Sequence, residues 1–386
     1  MSSMAISSGA SSSSNHIKKI LIGADAFYNN RNYLELTKKD LCNAKSVPVS
    51  YTHNTEYSIL HKIEQVAKKA FIYVALPVGL YMHFHIFSVI VVSIGLHKLI
   101  QTIARSLILP ASLGKATLDY DFYRRNIPLD TEWKYKRITV AVDDNQIDAM
   151  IVGKPTTLDN GKWTLYSNGN GEFYETKPFN PEFHRTLTEL NSNAIVFNYP
   201  GVGASTGPIS RKTMAKAYKA MLTLLEDKKK GIGAREIIGY GHSIGGGVQG
   251  DALLTHELKK EIKYVFVKSR TFSDLSTLTS LIMARVLGLL VKVLGWNIDS
   301  VTSSKKLQVP EIILQTARVE NYEELNDSSK IVDDGIIRPD GSLASALLNS
   351  DCKDKKVILG IKEKHNDVLQ CLPYLAGRIN TLLQRQ

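Results

Sequence analysis

A single serine stands between two glycines in the sequence IIGYGHSIGGGVQG, residues 237–250. The spacing Gly241-x-Ser243-x-Gly245 predicts a sharp turn from a strand into a helix, where residues two positions from the serine must be small to avoid collision. Such a turn exposes the Ser243 hydroxyl as a nucleophile beside the free N–H groups of a helix N-terminus. The alternative is a glycine-rich turn without chemistry. A phosphate-binding loop is disfavoured because it needs a lysine at the helix start, and none is present.

A second glycine-rich turn, SNGNG at residues 167–171, follows a strand-like run. Acyl transfer needs N–H donors facing the oxygen that becomes negative, and the N–H groups of Asn170 and Ile244 are the candidates for this oxyanion pair. The alternative is an ordinary Asn-Gly turn. The glycines of a third loop, NYPGVGASTG at 198–207, are interpreted as structural.

The order of the segments SNGNG, VFNYPGVGASTG and GYGHSIGGG resembles the α/β-hydrolase superfamily over residues 130–386. The resemblance implies a serine nucleophile, an acid and a histidine base in that order along the chain. The superfamily usually has His-Gly in the first loop, where this sequence has Asn168-Gly169, so the hydrogen bonds of that loop are expected to differ. The apolar N-terminal region and the segment VKSRTFSDLS at residues 267–276 are similar to hydrolase-like proteins of unknown role in chlamydiae and to related secreted effectors of intracellular bacteria.

Two histidines follow Ser243, and the resemblance implies that the one near the C-terminus is the base. His256 lies within the helix predicted after the serine and is expected to point away from it. His365 follows the last predicted strand, in KKVILGIKEKHND, where the superfamily has its base. We therefore predict that His365 takes the proton of Ser243.

The acid is expected after the strand PEIILQT, displaced downstream by the insertion ARVENYEELNDSSK. The segment VDDGIIRPDGSLASAL resembles the superfamily pattern of an aspartate followed by an apolar pair and proline, and Asp334 fits it best. Its role would be to hold the imidazole of His365 in one tautomer. The two aspartates before Gly335 could instead form an ordinary turn. The other candidate acids are Asp333, Asp274, Glu320 and Asp327.

These loops need a sheet that brings the ends of distant strands together. Residues 136–154 alternate apolar and polar side chains on both sides of Asp143-Asp144-Asn145, which predicts a β-hairpin. Strand-like runs then alternate with helix-length segments, so the predicted class is α/β, an α/β-hydrolase fold with a mostly parallel central sheet. The runs are 163–167, 194–198, 236–240, 263–267, 311–315 and 356–359.

An apolar insertion at residues 275–305 is expected within this domain. Its only charges before Asp299 are Arg285 and Lys292. As a helical cap over the serine it would exclude water and favour lipid-like acyl groups. The alternative is a helix that packs in the core.

The chain before residue 130 predicts a different region. Residues 1–16 are Ser-rich and expected to form a disordered tail, and residues 17–129 are expected to be a helical region. Residues 71–96 contain no Asp, Glu, Lys or Arg, and a helix needs about 20 apolar residues to cross a bilayer. This segment is predicted to insert into or span a membrane. The alternative is a buried helical pair against the main domain.

Composition narrows the function classes. The 386 residues are 44% apolar, as in globular proteins, and the net charge of +11 favours anionic partners. No nucleic-acid-binding motif accompanies this charge, so nucleic acid is not a predicted partner. The three cysteines, Cys42, Cys352 and Cys371, are too far apart to predict a metal site or a disulfide framework.

The predicted function is a serine hydrolase that cleaves a small-molecule or lipid ester, thioester or amide through an acyl-serine intermediate, without a metal or organic cofactor. The alternative is a catalytically inactive scaffold that acts as a membrane-associated interaction or effector protein. A membrane-associated location is predicted, with the cytoplasm or secretion into a host cell as alternatives. The oligomeric state is not predicted.

Overall fold

The structure is a computed structural model that describes residues 48–50, 84–113, 119–128, 132–228, 231–350 and 356–386. The tail predicted at 1–16, residues 71–83 of the apolar segment, Cys42 and Cys352 lie outside these residues. In the described part of the chain, ten strands form one sheet with helices on both faces. This arrangement confirms the predicted α/β class.

The elements alternate along the chain much as the sequence predicts. The strands are β1 (Pro48–Ser50), β2 (Lys134–Val142), β3 (Asn145–Gly153), β4 (Lys162–Ser167), β5 (Asn193–Phe197), β6 (Glu236–His242), β7 (Lys263–Ser269), β8 (Glu311–Thr316), β9 (Glu323–Glu324) and β10 (Lys356–Ile361). The helices are α1 (Phe84–Ile108), α2 (Tyr120–Arg125), α3 (Pro181–Leu190), α4 (Arg211–Glu226), α5 (Ile244–Leu253), α6 (Leu275–Ile282), α7 (Arg285–Val293), α8 (Ser300–Lys306), α9 (Leu343–Leu348) and α10 (Leu372–Gln384).

The strand order is β1-β2-β3-β5-β4-β6-β7-β8-β10-β9. The predicted hairpin is present, because β2 and β3 pair antiparallel across Val142 and Asn145. From β5 through β4, β6, β7 and β8 to β10, every pairing is parallel. The loops after these strands therefore meet at one edge of the sheet, where ligands bind in open α/β sheets. The sequence does not predict β1, which extends the sheet beside β2.

Successive residues of the central strands enter two different cores, as the period of a strand requires. Ile237 and Phe266 belong to the core that contains the buried faces of α4 and α5. Ile238 and Val265, one position away, belong to the core shared with α3 and α10. Burial on both faces explains why these strands read as short apolar runs rather than as alternating ones.

Helix α1 is apolar but lies on the outside of the molecule. Its last residue, Ile108, is followed by Leu109-Pro110, and a residue before proline disfavours the helical backbone. The stretch Ser88–Ile108 is long and apolar enough to cross a membrane, and none of it is buried. Residues 88–96 therefore form part of one exposed helix rather than a buried helical pair.

The segment predicted as a cap contains three helices: α6 and α7 pack against each other, and α8 packs separately against α5. Helices α6 and α7 form a hairpin whose inner side chains, such as Leu275 and Val291, join the core of α5. Helix α8 packs against α5 itself, where a Cβ on Gly250 would meet the Ser303 hydroxyl at 2.2 Å. The part that covers the sheet edge is thus α6–α7, whereas α8 supports the helix behind Ser243.

Candidate active site

Ser243 occupies a strained turn between β6 and α5. Its φ of 54° and ψ of −121° are unusual for a residue with a side chain, and such backbone costs about 1–3 kcal/mol. Three hydrogen bonds hold the turn. The Ser243 N–H donates to the Ser269 carbonyl (2.9 Å), and the Ser243 carbonyl accepts from the Gly246 N–H (3.1 Å) and the Thr271 hydroxyl (3.2 Å).

The two flanking glycines leave no room for a side chain. A Cβ on Gly241 would stand 2.6 Å from the backbone of Gly246, and one on Gly245 would stand 2.1 Å from the carbonyl oxygen of Ser167. Either methyl group would push α5 away from β6 or from the loop after β4. The Gly-x-Ser-x-Gly spacing therefore has the steric cause expected for a nucleophile turn.

His365 and Asp334 lie together in the loops after β10 and β8. The His365 Nδ1 is 2.9 Å from the Asp334 Oδ2, and the His365 backbone N–H donates to the Asp334 carbonyl (2.8 Å). The other carboxylate oxygen, Oδ1, accepts from the N–H groups of Ile336 (2.9 Å) and Ile337 (2.6 Å). Both side chains are buried.

Asp334 is held as a carboxylate by this environment. Burial alone would raise its pKa, but the hydrogen bond and charge of His365, together with the N–H donors of Ile337 and Ile336, lower the pKa below its usual range. The ionised acid can then accept a hydrogen bond from the His365 Nδ1–H, which leaves Nε2 unprotonated and free to act as a base.

The structure places the other candidate residues elsewhere. Asp333 is exposed and accepts the Gly335 N–H, Asp274 caps the start of α6, and Asp327 accepts the Ser329 N–H. Glu320 is exposed, and His256 pairs with the buried Glu226. Of the candidate acids in the described residues, only Asp334 has its carboxylate within hydrogen-bond distance of the His365 ring.

Arg270, which the sequence does not predict as a site residue, fixes the loop that carries His365. It lies just after β7 with a positive φ of 49°, and its side chain is buried. Its Nη1 donates to the carbonyls of Lys364 (2.5 Å) and Asp367 (3.0 Å), on either side of the histidine. A guanidinium can bridge two carbonyls in this way because its donors are fixed in one plane.

The loop after β4 presents its backbone to the same site. The Gly169 N–H is taken by the Glu172 carboxylate (2.8 Å), while among the described residues the N–H groups of Asn170 and Ile244 have no hydrogen-bond partner. Asn168, which stands where the superfamily usually has histidine, donates from its side chain to the Phe197 carbonyl (3.0 Å). Its amide therefore anchors the loop to the end of β5.

His242, the residue before the serine, is a second imidazole that the sequence does not predict. Its ring centroid is 5.0 Å from that of His365. Burial and the neighbouring Arg270 cation together lower the pKa of His242 to about 3. Burial would raise the pKa of Glu172, but the Lys177 cation and the hydrogen bond from the Gly169 N–H help to lower it to about 2. The site thus combines a neutral imidazole with an ionised carboxylate beside the loop after β4.

A cavity of about 730 Å³ joins these groups. Ser243, His365 and the loop 169–172 line one part of it, and the rest is lined almost entirely by apolar side chains from α1, α6 and α7. Its volume lies in the range that holds a drug-sized ligand. In the described residues, no cluster of three or more His, Cys, Asp or Glu side chains is placed to bind a metal ion.

Comparisons with known proteins were made for both the sequence and the structure. The sequence model of one family, described as "Chlamydia CHLPS protein (DUF818)", matches residues 45–380. No curated protein matches the chain. Similar solved structures include an alpha-beta hydrolase from Vibrio vulnificus, with 16% identity, a TM-score of 0.49 and coverage of 64% of this chain and 81% of that one. An esterase from Pyrococcus furiosus has 15% identity and a TM-score of 0.48, covering 66% and 91%.

Proposed function

Because this chain belongs to the Chlamydia CHLPS protein family (DUF818), whose description states no reaction, we propose from the geometry of its site that it is a serine hydrolase. The observation that carries the proposal is a strained serine that shares a cavity with a histidine bonded to a buried aspartate. Serine, acid and histidine follow the chain order typical of α/β-hydrolases.

In the proposed first half-reaction, the Ser243 hydroxyl oxygen attacks the carbonyl carbon of an ester. His365 accepts the hydroxyl proton at Nε2, and Asp334 holds the imidazole in the required tautomer and stabilises its positive charge. The N–H groups of Ile244 and Asn170 bind the oxyanion of the tetrahedral intermediate. The intermediate collapses when the bond to the leaving alcohol breaks and His365 gives its proton to that oxygen, which leaves an acyl-serine.

The second half-reaction repeats these roles with water. His365 removes a proton from a water molecule, which attacks the acyl-serine carbonyl, and the proton then returns to the Ser243 oxygen as the carboxylic acid leaves. Each step conserves atoms and charge without any group beyond these side chains. A thioester or an amide would follow the same sequence.

The lining of the cavity supports an apolar acyl group as substrate. The walls contributed by α1, α6 and α7 include Ile103, Leu278 and Leu290, and they carry no charged side chain. An apolar chain bound there loses contact with water, which stabilises it by about 0.8 kcal/mol per buried methylene. We therefore propose that esters of longer acyl chains are preferred over acetyl esters.

Hydrolysis of p-nitrophenyl esters of increasing chain length tests this function. We expect kcat/KM to rise from the acetyl ester to chains of medium length, and we expect Ser243→Ala to reduce kcat to the uncatalysed background. Ser342→Ala, which removes a buried serine hydroxyl at the start of α9, controls for the loss of a hydroxyl elsewhere. A folded protein that hydrolyses none of these esters would favour the inactive scaffold instead.

A further inference from the structure

Exposed apolar side chains lie on the helices that line the cavity. On α1 they include Val89, Val92 and Leu99, and on the α6–α7 hairpin they include Val286, Leu289 and Val293. Val286 is 68% exposed and Val293 is 74% exposed. We call the exposed apolar side chains of Ser88–Ile108 and Leu275–Val293 the apolar face. Contiguous exposed patches of this kind mark sites of protein or membrane interaction.

The apolar face and the cavity share side chains. Ile103 and Leu107 of α1, and Ile282, Met283 and Leu290 of the hairpin, are exposed and also line the cavity that contains Ser243. Whatever covers this face therefore lies at the entrance to the site. An apolar molecule that comes from whatever covers this face can enter the cavity along apolar side chains.

Hydrogen bonds tie the two parts of the apolar face into one unit. The Gln101 side chain of α1 donates to the Leu294 carbonyl (3.2 Å) and accepts from the Trp296 indole N–H (2.9 Å). These residues follow α7 directly. The last third of α1 is thus attached to the hairpin, and both parts face the same surroundings.

The charges on the apolar face have one sign. No Asp or Glu occurs between Glu64 and Asp119 or between Asp274 and Asp299. Lys98, Arg285 and Lys292 are exposed within these two stretches. An apolar surface edged by cations complements a layer of anionic lipid headgroups above hydrocarbon, and each such cation contributes about 1 kcal/mol near that surface.

We propose that the apolar face docks on an anionic phospholipid bilayer and that the acyl substrate enters the cavity from it. The second clause rests on the proposed hydrolase function, whereas the docking does not. A second copy of the chain fits less well, because a symmetric contact would bring these cations against those of the partner. The bilayer instead supplies both the hydrocarbon and the opposite charge.

Flotation of the full chain with phospholipid vesicles tests the docking. We expect the protein to float with phosphatidylcholine vesicles that contain phosphatidylglycerol, and to float about tenfold less with phosphatidylcholine alone. Val286→Asp with Val293→Asp is expected to reduce the bound fraction at least about tenfold, because it places two charges in hydrocarbon. Neither side chain lines the cavity, so hydrolysis of a soluble short-chain ester is expected to stay within about twofold of the wild type.

Matched charge reversals test the electrostatic part. Arg285→Glu with Lys292→Glu is expected to weaken binding to the anionic vesicles about tenfold or more. Lys260→Glu with Lys306→Glu changes the net charge equally, at the opposite edge of the sheet before β7 and β8, and is expected to bind within about twofold of the wild type.

Two outcomes would overturn the docking. One is wild-type protein that does not float with either vesicle. The other is a dimer, detected by sedimentation, that Val286→Asp with Val293→Asp dissociates while flotation is absent; it would assign the apolar face to a second copy. Wild-type protein that hydrolyses the soluble ester but binds neither vesicle would contradict the docking alone. Vesicle binding without any ester hydrolysis would contradict the hydrolase function alone.

Discussion

The site around Ser243 and the apolar face meet at one cavity but are built in opposite ways. Around Ser243 the side chains are buried or half-buried, two residues have strained backbone, and hydrogen bonds from β7 and the later loops hold the geometry. On the apolar face, large side chains lie exposed on regular helices. The contrast indicates that reactive geometry needs support from every side, whereas a docking surface needs area that the protein itself leaves uncovered.

This contrast divides substitutions into two groups. Changes in the site should remove activity and leave vesicle binding intact, whereas changes on the apolar face should do the reverse. A substitution in one region that alters both properties would show that the two regions are not separate. The predictions below run from the largest expected effect to the smallest.

After Ser243→Ala, the largest effect is expected from Asp334→Asn. An amide cannot hold the His365 imidazole in the tautomer that leaves Nε2 unprotonated, so kcat on a soluble ester should fall by about 10³–10⁴-fold. Asp333→Asn, at the exposed neighbouring position, is the control and should stay within about twofold. Equal losses in the two variants would remove the distinction between the two aspartates. Flotation of Asp334→Asn with anionic vesicles should match the wild type.

A smaller but still large effect is expected from Gly245→Ala. The added methyl group would stand 2.1 Å from the Ser167 carbonyl oxygen, so the turn must shift. A displacement of about 1 Å at a reacting group lowers kcat by about 10²-fold, and overpacking lowers the free energy of unfolding by about 1–3 kcal/mol. Gly377→Ala on α10 has open space around its Cβ and should leave kcat unchanged. Wild-type kcat in Gly245→Ala would show that the turn tolerates a side chain.

An intermediate effect is expected from Arg270→Lys. An ammonium cannot bridge the carbonyls of Lys364 and Asp367 as the guanidinium does, so His365 should lose its position and kcat should fall about tenfold with little change in KM. Lys364→Ala keeps the accepting carbonyl and removes only an exposed side chain, so it should behave as the wild type. A rise in KM at constant kcat would instead assign Arg270 to substrate binding.

The smallest effect concerns pH. The pKa of His242 is lowered to about 3 in the folded protein, below the ordinary value near 6.5, so only the unfolded chain takes up this proton between those values. Stability should therefore fall as pH drops from 6.5 to 4.5, by about 2 kcal/mol from this residue. The stability that comes from the lowered pKa of Asp334 is lost mainly below this range, at about pH 4 and under. Denaturant unfolding at both pH values should show a smaller loss in His242→Gln, and an equal loss would exclude His242 as the source.

The parts of the molecule that the sequence predicts are those with local causes. Burial on two faces makes each central strand a short apolar run. Because Gly241 and Gly245 have no room for a side chain, the serine turn has a recognisable pattern of five consecutive residues. The pattern after β8 ranks Asp334 first, and the structure places its carboxylate against His365. These features can be read from neighbouring residues alone.

The parts that the sequence does not predict depend on contacts between distant segments. Arg270 acts through backbone carbonyls nearly a hundred positions away, and a carbonyl leaves no signal in a side-chain pattern. The pKa of His242 is lowered because the ring is buried beside Arg270, and the residues next to His242 in the sequence do not indicate this burial. The sequence analysis also treats the apolar segment at 71–96 and the cap at 275–305 as separate. In the structure, α1 and the α6–α7 hairpin line one cavity, and hydrogen bonds of Gln101 join the two.

Labelling with a fluorophosphonate, followed by mass-spectrometric mapping of the modified peptide, tests the central claim most directly. The reagent phosphonylates a serine only where a base and an oxyanion site activate it. We predict a single adduct on Ser243 that is absent from Ser243→Ala and much slower to form in His365→Ala. An adduct on another serine, or a folded wild-type protein that the reagent leaves unmodified, would contradict the assignment of Ser243 as the nucleophile.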